Sequence, residues 1–127
     1  MAWIFELGGN KLEGEVNKID KDIKRLLKEL EQDPFGRGKK NEEYKKLIEK
    51  ILKEIEEHKK SLHKLYGSKP NDFPELEMIK NLLRYYYEKL EAYKKGHTIR
   101  IYPHQLKAWL QAVQTNWNNH KIKFQHK

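Results

Sequence analysis

A mainly α fold is predicted: an antiparallel three-helix, coiled-coil-like bundle over residues 10–95, with a short fourth helix behind it. Three observations carry this expectation. Apolar residues recur at alternating spacings of four and three in three successive segments, which holds one stripe on one face of each helix. Glycine and proline clusters separate those segments by short connections, which force helical hairpins. The chain of 127 residues is the size of one domain and can bury a modest core.

The elements follow in order. Trp3–Leu7 is a short apolar run that reads as a strand, broken by Gly8-Gly9. Asn10 with Glu13 resembles a helix start, and Leu12, Val16, Ile19, Ile23, Leu26 and Leu30 form the first stripe. Asp33–Gly38 ends that helix. Asn41 is the expected cap of the second, with Glu42 and Glu43 at the positive end of its dipole. Its stripe is Tyr44, Ile48, Ile51, Ile55, His58, Leu62 and Leu65, and Gly67 supplies the stop. Asp72 and Pro74 together open the third helix, with Leu76, Ile79, Leu83, Tyr86, Leu90 and Tyr93 on its face.

After Gly96 the texture changes. Residues 98–102 alternate and are rich in β-formers, so a strand is expected. Pro103 opens a fourth helix with Leu106, Trp109, Leu110, Val113 and Trp117, which Asn118-Asn119 stops. Residues 121–125 alternate again. The segments 3–7, 98–102 and 121–125 are therefore candidates for a small antiparallel sheet, since a lone strand would be unstable.

Composition excludes several function classes. There is no Cys, hence no disulfide framework or thiolate chemistry, which fits a reducing cytoplasmic setting. No apolar run approaches the ~20 residues of a membrane span, and the start lacks the pattern of a secretory signal, so no membrane is expected among its partners. No Gly-x-Ser-x-Gly is present, and no cofactor motif is found. An enzyme is not expected; that reading would return only if Glu6 or Asp72 came beside His97 or His104 in a cleft.

Charge is unevenly distributed. Ala92–Lys127 holds seven Lys/Arg and no Asp or Glu, so it carries +7 of the chain's +8, while residues 1–91 balance 20 basic against 19 acidic side chains. Unopposed positive charge with amide side chains fits a nucleic-acid partner, because phosphate neutralisation and counterion release supply most of such affinity. Expected RNA or DNA contacts are Lys94, Lys95, Arg100, Lys107, Gln111, Lys121 and Lys123. The glycine-flanked loop Arg37, Lys39, Lys40 is a candidate secondary contact, although as a hairpin connection it needs no ligand to explain it. Trp109, Trp117 and Phe124 read as core rather than stacking platforms.

The alternative is a protein-interaction module, an adaptor, assembly subunit or inhibitor docking on an acidic protein surface. Tyr85, Tyr87 and Trp3 would be its anchors, and self-association is included in that class. Tyr85 and Tyr87 flank the helical seam, where packing of the fourth helix over one of them is the plainer expectation. Elsewhere acids and bases interleave on the helix faces, as in Asp20 with Lys24, Glu42 with Lys46 and Glu49 with Lys53, which serves solubility. His58 stands in an apolar stripe with no second His at i+3 or i+4, so a register-setting polar residue is expected instead of a zinc ligand. His97, His104, His120 and His126 are expected to add pH-tunable surface charge.

Overall fold

The computed structural model describes residues 3–67, 69 and 72–123, with side chains from residue 11 onward. Four helices account for nearly all of it: α1 (Trp3–Gln32), α2 (Lys40–Tyr66), α3 (Pro74–Lys94) and α4 (Pro103–Ile122). Helix α1 packs on α2, α2 on α3, α3 on α4, and α4 returns to α1, whereas α1 and α3 do not approach each other across the middle. The expected three-helix bundle is thus corrected to a four-helix one in which α4 is the closing wall. Contacts such as Glu29 with Tyr44, Lys59 with Glu77 and Glu75 with His120 run early-to-late along each neighbouring pair, so neighbours are antiparallel.

The stripes read from the sequence form one continuous core. Leu12, Ile19, Ile23, Leu26, Leu30, Ile48, Ile51, Ile55, Leu62, Leu76, Ile79, Leu83 and Leu90 are fully enclosed, joined by Val113 and Trp117 from α4. Burying such side chains contributes about 1.5–3 kcal/mol each, and this is what holds four polar-faced helices together. The α2 and α3 stripes fray at their ends: Leu65 and Tyr93 are exposed.

The small sheet does not form among the described residues. Residues 3–7 are the first turns of α1, which passes through Gly8-Gly9 and Asn10 without a break. Helical backbone satisfies its own hydrogen bonds, whereas strand 3–7 would need a ladder partner. No partner forms among the described residues: 98–102 lie outside any helix or strand, and Lys121 and Ile122 belong to α4, while 124–125 lie outside the described residues. Two interior glycines cost about 1 kcal/mol each relative to Ala, too little to end the helix. For the same reason Asn118-Asn119 does not stop α4, which continues to Ile122.

Two expected caps are also corrected. Helix α2 begins at Lys40, so Asn41 lies within its first turn. The Asn41 side chain is buried and donates to the carbonyls of Phe35 (2.9 Å) and Leu90 (3.1 Å), tying the α1–α2 loop to the end of α3. Phe73, not Asp72, stands at the N-cap position of α3, with no side-chain capping hydrogen bond, and Pro74 is in the first turn as expected. Asp72 instead accepts the Lys69 backbone N–H. Gly36 needs to be glycine: its φ is +67°, and a Cβ there would lie 2.7 Å from the Asn41 nitrogen.

Candidate nucleic-acid interface

The up-down path places the α1–α2 loop and the α3–α4 connection at the same end of the bundle. Phe35 stacks on Tyr93 with ring centroids 4.7 Å apart, and the Tyr86 hydroxyl donates to the Pro34 carbonyl. This loop end therefore collects residues 34–41 and 92–107, which contain seven Lys/Arg and no Asp or Glu. All seven (Arg37, Lys39, Lys40, Lys94, Lys95, Arg100, Lys107) are exposed, as are Gln111 and the imidazoles of His97 and His104. Among the described residues, Lys95 has a loose tie to Glu91 at 3.9 Å. Carboxylates border the cluster: Asp33 precedes the loop and accepts the Arg37 backbone N–H at 3.0 Å, Glu42 and Glu43 follow Asn41, and Glu88 and Glu91 precede Ala92. Glu42 is engaged by Lys45 at 3.1 Å, and that hydrogen bond lowers its pKa.

Beside the loop end a groove of about 440 Å³ opens between α1 and α2. Lys24, Arg25, Lys28 and Lys40 line it, with Gln32, Tyr44, Glu29 and Asp33. Arg25 and Lys28 were not among the expected contacts. Their signal is present in the sequence, because Lys21, Lys24, Arg25 and Lys28 recur at helical spacing on one face of α1.

The other expected contacts are not brought to this end. Lys121 reaches Asp20 of α1 at 2.9 Å, and Lys123 reaches Glu75 of α3 at 2.8 Å. Burial opposes the Asp20 charge, but hydrogen bonds from Lys24, Lys121 and the Trp117 indole outweigh it and bring the carboxyl to about 2. Glu75 behaves alike: burial raises its pKa, while His120 and Lys123 bring it down to about 2. These two lysines pair with a half-buried and a buried carboxylate and tie α4 to α1 and α3.

The tyrosine anchors divide. Tyr85 is 53% exposed, with Lys89 over its ring. Tyr87 is half-buried and lies toward α2, donating to Glu49 at 2.9 Å; that hydrogen bond raises its pKa to about 12. Neither is covered by α4, whose Trp109 packs instead on Tyr86 at 4.6 Å. Trp3 lies in α1, its side chain outside the described residues. Of the interleaved pairs, Asp20 with Lys24 forms at 2.9 Å, whereas Glu42 pairs with Lys45 instead of Lys46.

The largest departure from the sequence reading is inside the bundle. His120, expected on the surface, is fully buried, as is His58. Their Nε2 atoms face each other at 2.9 Å. His58 Nδ1 meets Glu15 Oε1 at 2.9 Å, and His120 Nδ1 meets Glu75 Oε2 at 2.7 Å. Ser61 donates to the second Glu15 oxygen at 2.7 Å. A continuous chain, Glu15–His58–His120–Glu75, thus takes one residue from each helix. Burial pushes His58 below its ordinary value against the pull of Glu15. Burial likewise takes His120 down to about 4, with Glu75 opposing and His58 and Lys123 reinforcing.

Asp72, one of the residues whose meeting with His97 or His104 would point to catalysis, lies in the α2–α3 loop, at the opposite end from both; His126 and the side chain of Glu6 are outside the described residues. No helix among the described residues is long and apolar enough to cross a membrane. No family model, curated protein or solved structure matches this chain, so its functional reading rests on its own residues.

Proposed function

We propose that this protein is a small non-enzymatic nucleic-acid-binding protein that grips the phosphate backbone of RNA or DNA with its loop end. Work within a cytoplasmic ribonucleoprotein assembly belongs to the same proposal. The observation that carries it is the convergence of seven exposed cations from two sequence-distant, acid-free segments. Such a surface attracts phosphates without base readout, and the Arg25–Lys28–Lys40 groove offers the backbone a path down the side. Lys121 and Lys123 are left out of the contact set, because each is already engaged by a carboxylate, Asp20 and Glu75 respectively.

Binding to single- and double-stranded RNA and DNA, measured over a salt series, tests this reading. If about four phosphates are neutralised, a fourfold rise in salt weakens binding roughly 100-fold. No binding to any of the four at low salt would refute it.

A second reading, a module docking on an acidic protein surface, is favoured by the α3 face where Met78 and Tyr85 are 50% and 53% exposed. A single protein captured after nuclease treatment, with capture lost in Tyr85→Ala, would favour it. Capture that nuclease abolishes favours the first.

A further inference from the structure

Three hydrogen bonds link the four groups of the buried chain, and each needs one proton in its gap. With Glu15 and Glu75 ionised, each carboxylate takes an N–H from the nearer imidazole Nδ1. The gap between the facing Nε2 atoms then needs a third proton, or two lone pairs would meet at 2.9 Å. Two rings therefore share three ring protons, one imidazole beside one imidazolium. The two carboxylates and the imidazolium sum to −1, which Lys123, 2.8 Å from Glu75, brings to zero. A fourth proton would set N–H against N–H between two buried cations.

We propose that the Glu15–His58–His120–Glu75 chain is a pH-operated latch that seats α4 at neutral pH and releases it when a second imidazole is protonated. Helix α4 is the part that yields. It joins α3 through the non-helical residues 97–102, while His58 stands on α2 between α1 and α3. Charged groups facing the pair among the described residues include Glu15 from α1, Glu75 from α3 and Lys123 following α4. Lys121, next to His120 on α4, pairs with Asp20 of α1. Glu54, one turn earlier on α2, faces Asp22 rather than the pair.

Burial lowers both imidazoles, and His58 and Lys123 lower His120 further, which opposes a second buried cation here. An opened or unfolded chain binds that second proton near the ordinary histidine value of about 6.5, and the closed chain does not. Stability from excluding the second proton is therefore lost as the pH falls from about 6.5 toward 4, whereas the first proton, which the closed chain keeps and the open chain sheds above about 6.5, makes closure weaken again as the pH rises. Asp20 and Glu75, both near 2, stay charged across that window. A metal between the rings is the competing use of two converging Nε2 atoms. The described residues hold no group of three or more His, Cys, Asp or Glu side chains placed to bind one.

Hydrogen exchange on the full chain, expressed as protection factors from pH 7.5 to 4.5, tests the latch. The α4 amides around Trp109–Trp117 should lose at least tenfold protection below about pH 6, while those of Ile48–Ile55 in α2 keep theirs. His120→Gln, which keeps hydrogen bonding but cannot titrate, should flatten the α4 profile. Imidazole ¹⁵N spectra of the unaltered protein at pH 7.5 remain decisive if that variant does not fold, and should show three exchange-protected N–H protons on these two rings. Protection of α4 unchanged to pH 4.5, an unaltered profile in His120→Gln, or only two ring protons would overturn the proposal. So would stoichiometric Zn²⁺ binding that His120→Gln abolishes.

Discussion

At the loop end, Arg37, Lys39, Lys40, Lys94, Lys95, Arg100 and Lys107 stand in solvent, with no carboxylate in the segments that carry them. In the opposite half, Lys121 and Lys123 come from the same acid-free stretch of chain, yet they are drawn onto Asp20 and Glu75. One set of cations is available to a partner; the other is consumed in seating α4. Charge counted along a sequence is therefore not charge displayed on a surface, because a fold can supply counter-ions from 48 and 101 residues away.

The sharpest way to break this contrast is to attack the α4 seat. Trp117 is fully buried, and its indole donates to Asp20 at 2.8 Å. Trp117→Ala should cost about 3–5 kcal/mol in urea unfolding, and a loss below ~1 kcal/mol would show that α4 is not a wall of the bundle. Glu75→Ala leaves His120 and Lys123 without their carboxylate and should cost about 2–4 kcal/mol, the solvent around Lys123 softening the loss.

A third test turns on the sign of a pH effect. Glu54 is buried between α1 and α2 beside Asp22; burial, then Asp22, raises its pKa to about 7. A carboxyl with a raised folded-state pKa favours folding below its unfolded value and loses that contribution as pH rises through about 7. Glu54→Gln should thus stabilise by about 1 kcal/mol at pH 8, with Lys18 and Lys50 limiting the gain, and be neutral near pH 4. Destabilisation at pH 8 would contradict the assignment. The smallest expected effect on stability is at the loop end: Arg37→Ala, Lys39→Ala and Lys40→Ala together should move stability by no more than about 0.5 kcal/mol.

The core was legible because its signal is local. Ile19, Ile23 and Leu26, or Ile48, Ile51 and Ile55, need only the period of one helix to be recognised. The errors arose where short alternating runs carry no length to decide between helix and strand, as at residues 3–7 and 121–125. The buried histidine chain was half legible. His58 interrupts an apolar stripe, and His120 extends the series Val113, Trp117 by three residues, a continuation hidden once α4 was ended at Asn118. Their partners were not legible: a hydrogen bond across 62 residues is set by how four helices pack. The loop-end cluster was visible as two separate basic segments, but only the antiparallel path makes them neighbours.

The central claim is that nucleic acid is held by the loop-end cations and not by those in the α4 seat. The most direct measurement compares binding of the unaltered protein with Arg37→Glu/Lys39→Glu/Lys94→Glu/Arg100→Glu and with Lys121→Gln, on single-stranded RNA over a salt series. Loss of affinity and a flatter salt slope in the loop-end variant, with Lys121→Gln binding like the parent while it stays folded, is the predicted result. Unchanged binding in the loop-end variant, or loss confined to Lys121→Gln, would contradict the account.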